Sequence, residues 1–155
     1  MRMLVVLVLL GTLGSAWAQF DFERFALFTD CDSVGLYVSV QDVDDDLAGL
    51  SEEMIRNAAE SRIRSARLYD DEVSYPALNV FVHIVGGAFH ISVYLEKLFL
   101  DNLYSQEIGA AETWDSNSTG THGGDANYVV SAVSGHMDEF LVEYLRVNEE
   151  ACASQ

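Results

Sequence analysis

Two runs of alternating hydrophobicity joined by a glycine pair leave this chain few ways to fold. Leu78, Val80, Val82 and Ile84 lead into Gly86-Gly87, and Phe89, Ile91, Val93 and Leu95 alternate again beyond it. A period of two marks a strand with one buried face, and the tight primed turns that join such strands need the positive φ that glycine adopts freely. The segment predicts a β-hairpin with a two-residue loop. That loop sets the register: Val85 faces Ala88, and two steps further His83 faces His90. The two imidazoles then stand about 5 Å apart at Cβ on one sheet face, with Phe81, Ser92, Asn79 and Tyr94 beside them.

The rest of the chain is organised around this hairpin. Residues 19–30 are aromatic-rich and predict a leading arm or partial strand. Val34 to Val43 alternates, with Leu36, Val38 and Val40 on one face. Ser51 is placed to accept from free N–H groups at a helix start. Glu52 and Glu53 follow it, and Arg62, Arg64 and Arg67 gather near the end, the order the helix dipole favours. Ile55, Ala58, Ala59, Ile63 and Ala66 recur at helical spacing, so a helix is expected over 51–69. A further strand is expected from about Glu107 to Trp114, then a polar loop from Asp115 to Gly124. Asp125 caps a last helix reaching about Arg146, with Val129, Val133, His136, Phe140, Leu141 and Tyr144 along one face. The order β-α-β-β-β-α predicts an α+β two-layer sandwich, mainly antiparallel, with two helices on one face.

The first eighteen residues read as a signal peptide. Arg2 supplies the positive charge, Leu4–Leu13 the apolar run, and Ala16-Trp17-Ala18 the small residues of a cleavage site before Gln19. The apolar run is about ten residues, half of what spans a bilayer, so stable membrane insertion is not expected. Residues 19–155 then form one domain, exported to the periplasm or secreted. All 25 acidic residues follow Ala18, and the chain carries a net charge of −17. Such a field repels nucleic acid and anionic headgroups, which excludes both as partners. Cys31 and Cys152 are the only cysteines, and in an oxidising compartment they are expected to pair. A loop that long restricts the unfolded chain by about 4–5 kcal/mol on the entropic description.

Several constellations carry groups that could support chemistry. His83 and His90 can ligate zinc or copper, although zinc takes three or four ligands. From Asp42 to Glu53 the acidic positions follow a calcium loop, with Asp42 first, Asp44 third, Asp46 fifth and Glu53 twelfth. Leu47 stands where that loop needs glycine. The Asp115–Gly124 loop, with Thr121 and His122, is a candidate binding surface ahead of a helix start. It lacks a G-K-[ST] element and any basic residue. Asn117-Ser118-Thr119 is a glycosylation sequon. Ser134 and His136 point in different directions on a helix, and no motif of nucleophilic catalysis is present. His136 is assigned to the packing face.

The leader, the element order and the stretch Leu50–Leu68 (LSEEMIRNAAESRIRSARL) resemble small exported bacterial proteins of unknown function. The element order is also similar to α/β modules of envelope-assembly proteins. The resemblance implies a periplasmic protein that binds or organises rather than transforms; the expected partner is an envelope protein or small ligand, and no cofactor is expected beyond the zinc, copper or calcium of the candidate metal sites. The candidate surface is Phe81, His83, His90, Tyr94, Thr121 and His122. The alternative is a metal-binding protein using His83 and His90.

Overall fold

The computed structural model describes residues 22–43, 47–100 and 108–154. The leader at 1–18, and Asp44 and Asp46 of the acidic turn, lie outside the described residues.

The glycine hairpin forms as its sequence dictates. Strand β2 (Ala77–Val85) turns at Gly86, whose φ is +55°, into β3 (Ala88–Leu100), with Val85 opposite Ala88 and His83 opposite His90. Strand β1 (Gly35–Asp42) lies on the other side of β2, and β4 (Ile108–Thr121) lies beyond β3, giving the order β1-β2-β3-β4. The sheet is mixed. Both pairings of β3 are antiparallel, whereas β1 and β2 run parallel. Helix α2 (Glu52–Ser65) joins β1 to β2 and returns the chain to the starting end, the connection a parallel pair requires.

Helix α2 is built as its sequence suggests, with the Ser51 hydroxyl accepting from Met54 N–H at 3.2 Å and Ile55, Ala59 and Ile63 buried. It ends four residues before the expected 69. Arg67 turns into the left-handed region, and Leu68 N–H returns to Ile63 O at 3.0 Å. This exit buries Leu68 and brings Tyr69 alongside Val34 in a parallel bridge. Helix α3 (Ala126–Val147) starts at an Asp125 cap and buries Val129, Val133, Met137, Phe140 and Tyr144. It packs on β3, β4 and α2, so both long helices cover one sheet face. The core between them holds Val80, Val82, Ile84, Ile91, Val93 and Leu95.

Two expectations need correction. Residues 22–27, expected as a leading arm or partial strand, form a short helix, α1. The polar stretch after Asp115 is strand β4 as far as Thr121, not a loop. Its inward positions are Trp114, Ser116, Ser118 and Gly120, opposite Leu95, Val93, Ile91 and Phe89. Gly120 leaves room for the Phe89 ring, because a Cβ there would stand 2.8 Å from Phe89 Cζ.

The chain ends are tied together. Helix α4 (Glu149–Cys152) follows α3, and Cys152 is disulfide-bonded to Cys31 across 121 residues. Asn148, fully buried between α3 and α4, accepts from Thr29 N–H and Cys31 N–H and donates to the carbonyls of Leu27 and Tyr144. Tyr144 donates its hydroxyl to Asp32 O at 2.8 Å and also bonds Thr29 Oγ1. Burial pushes that phenol up to about 12. A turn with Asp30 and Cys31 at positive φ is thereby held to the last long helix.

Candidate functional site

The alternation that sends aliphatic side chains into the core sends a second set to the other face, and among the described residues no helix covers it. The strand registers arrange this set in cross-sheet rows. Gln41, His83, His90 and Thr119 form one row, and Ser39, Phe81, Ser92 and Asn117 the next. Tyr37, Asn79, Tyr94 and Asp115 form a third. Phe81, His83, His90 and Tyr94 are half-buried by their neighbours, while Tyr37 is 51 % exposed. His90 Nδ1 lies 3.1 Å from Thr119 Oγ1, and the Phe81 and His83 rings are 6.1 Å apart.

The face changes character along its length. Asn79 donates to Glu96 at 3.1 Å, and Asn117 to Asp115 at 2.9 Å. Burial, with the carboxylates of Glu96 and Glu112, pushes the Tyr94 hydroxyl above its ordinary value. Past these acids β3 and β4 outrun β2, and a bulge between Leu95 and Glu96 leaves Thr113 without a strand partner. The two-stranded ribbon continues the same face with Leu98 opposite Ala110 and Leu100 opposite Ile108. Leu98, Leu100 and Ile108 are all at least half exposed.

Not every sequence candidate lies on this surface. Thr121 is exposed at the end of β4. His122 is buried, its Nε2 donating to Gly86 O at 2.9 Å and its Nδ1 accepting from Gly124 N–H at 3.0 Å. It braces the hairpin turn against the start of α3 and is withdrawn from the candidate surface. In the acidic turn, Asp42 accepts from Leu47 N–H at 3.1 Å, Leu47 is buried in the core, and Glu53 stands on the first turn of α2. His83 and His90 are brought together as expected. Among the described residues no cluster of three or more His, Cys, Asp or Glu side chains gathers.

The reading of His136 as a packing residue missed a polar seam between β4 and α3. His136 lies between two serine hydroxyls, Ser116 Oγ at 2.7 Å from Nδ1 and Ser118 Oγ at 2.7 Å from Nε2. Ser116 donates to Glu139 at 2.6 Å, and further along Trp114 donates to Glu143 at 2.8 Å. Burial lowers the His136 pKa from its usual range, opposed by the nearby Glu139 carboxylate. The signal for this seam was the spacing of Ser116 and Ser118, which share a face only if the segment is a strand.

The concave surfaces lie elsewhere. One depression of about 480 Å³ is bordered by Arg24, Phe28, Arg146 and Glu150. Another, of about 240 Å³, lies between α1, Trp114 and Glu143. Among the described residues no helix is long and apolar enough to cross a membrane. No protein-family model matches the chain, and no curated protein or solved structure is significantly similar to it.

Proposed function

We propose that this chain is an exported binding module that engages an envelope protein through its open sheet face. The observation that carries this reading is the continuity of that face, from the His83–His90 row through Phe81 and Tyr94 to the exposed Leu98, Leu100 and Ile108. Large apolar and aromatic side chains left outside a core mark a surface that another molecule covers. The net charge of −17 and the carboxylates of Glu96, Glu112 and Asp115 on the same face favour a partner with basic groups around an apolar centre. The leader and the Cys31–Cys152 bond support export, with the periplasm as the compartment the resemblance implies.

Photo-cross-linking residues placed at Phe81, Tyr94 and, as control, Glu53 on α2 test this in cells exporting the chain. The expected result is a discrete protein adduct from Phe81 and Tyr94 and none from Glu53. Equal adducts from all three positions, or none from the sheet face, overturn the reading. The opposed His83 and His90 keep a second reading in play, a weak zinc or copper site. It requires a chelator-reversible rise in melting temperature that His83→Ala removes.

A further inference from the structure

We propose that Ser118, beneath α3 on the edge strand β4, is an activated nucleophile for small carboxylic esters, with His136 as its general base. The hydrogen bonds of the seam can point in only one direction. A carboxylate only accepts, so Ser116 spends its single hydroxyl proton on Glu139. Ser116 Oγ can then only accept from His136, which places the imidazole proton on Nδ1. Nε2 is left with its lone pair, and the Ser118 hydroxyl donates to it. The relay Glu139, Ser116, His136, Ser118 has the polarity that acid, imidazole and nucleophile need, with a serine inserted between acid and imidazole.

The surroundings favour the same chemistry. The carboxylate facing His136 is Glu139 on its own helix, with Nδ1 to Oε2 at 3.9 Å. Asp138, the neighbouring acid of α3, is turned to Arg62 of α2 at 3.4 Å. Strand β4 contributes the two hydroxyls, and β3 contributes the apolar Ile91 and Val93. The strand edge supplies backbone donors as well. His122 N–H donates to Gly87 O, and alternation from there sends Gly120, Ser118 and Ser116 toward β3. The N–H of Thr119, the residue after the nucleophile, therefore faces the open edge, where an oxyanion can take it up. Ser118 is only partly exposed beneath α3, which limits the acyl group to a small one.

With an aryl ester the step balances without a further reagent. Ser118 Oγ attacks the carbonyl carbon, and its proton passes to His136 Nε2. The bond to the aryloxide breaks, Nε2 returning its proton to the departing oxygen, and an acyl-Ser118 ester remains. Water then attacks the acyl carbon, giving its proton to Nε2, and Oγ departs and is reprotonated. This site is separate from the open sheet face and does not depend on the binding reading.

The test uses p-nitrophenyl acetate with the oxidised chain, following nitrophenolate release and acetylation of Ser118 by peptide mapping. The expected result is acetylation confined to Ser118 and absent in Ser118→Ala. His136→Gln slows release by about 10²-fold or more. The wild-type rate rises with pH through a value below 6.5 and is level above it. Ser116→Ala lowers the plateau and Ser116→Thr, which keeps the hydroxyl, restores it, so Ser116 is tested as a positioning residue. Glu52→Gln, on the exposed first turn of α2, leaves the rate unchanged. Near-ultraviolet circular dichroism selects variants that keep the native fold, and Ser118→Cys, close to isosteric, must still be acylated in a His136-dependent way. Acetylation spread over lysines, or a rate indifferent to His136, overturns the proposal.

Discussion

Replacing Asn148 by alanine is expected to be among the most destabilising single changes in the molecule. The side chain is fully buried and makes four hydrogen bonds, to Thr29 N–H at 3.0 Å, Cys31 N–H at 3.3 Å, Leu27 O at 3.0 Å and Tyr144 O at 2.9 Å. Tyr144 O also accepts from the Asn148 backbone N–H at 3.0 Å, so it keeps a partner. Alanine removes the bond that Asn148 makes to each of the other three main-chain groups beside the disulfide. At about 1 kcal/mol net for each lost bond, the cost is about 3 kcal/mol. For a domain of this size that lowers the melting temperature by about 10 °C. Thermal and urea unfolding of the oxidised protein measure it. Asn148→Asp sharpens the test. At neutral pH its second oxygen would face the carbonyls of Leu27 and Tyr144, and on acidification a protonated carboxyl can donate again. The aspartate variant should therefore recover toward wild type as the pH falls, and the alanine variant should not. A loss under about 1 kcal/mol for alanine, with no acid recovery for aspartate, would refute the assignment of Asn148 as the polar clamp between the chain ends.

Other expectations follow from the same structure. Reducing the Cys31–Cys152 bond should lower stability by up to about 4–5 kcal/mol, seen as a shift in urea midpoint between oxidised and Cys31→Ser/Cys152→Ser protein. Gly120→Ala should cost about 1–3 kcal/mol by thermal unfolding, because the new methyl meets the buried Phe89 ring, itself edge-on to Tyr128 at 5.8 Å. Burial sets the folded pKa of His136 below the unfolded value of 6.5, so the unfolded chain takes up the proton first. The stability that neutral His136 contributes is complete above pH 6.5 and is lost as the pH falls through the folded value. Melting temperatures of wild type and His136→Gln across that range should converge on the acidic side.

What the sequence made legible was local. The hairpin was readable because two aliphatic runs in period two flank Gly86-Gly87, and the loop length alone set His83 against His90. Helices α2 and α3 were readable from Ser51, Asp125 and their apolar spacing. Strand β4 was readable only as far as Trp114, because beyond it the inward positions are Ser116, Ser118 and Gly120 instead of aliphatics, and Asn and Gly otherwise signal turns. Pairing with β3 and the cover of α3 outweighed those propensities. The seam at His136 was hidden for the same reason, since no spacing rule places Ser118 against a helix eighteen residues later. The parallel pairing of β1 and β2 depended on where α2 returned the chain. The open face followed from the hairpin alternation, whereas the burial of His122 followed from a turn whose closure only the fold defines.

The central claim is that the open sheet face is a protein-binding surface. Its most direct test is the affinity of the cross-linked partner, once purified, for wild type and for a Phe81→Ser/Tyr94→Ser variant of unchanged melting temperature. If the two rings anchor the interface, affinity should fall by about 10²-fold or more, and binding should weaken as salt rises. Equal affinities for the two proteins would contradict the claim and place the partner on another surface.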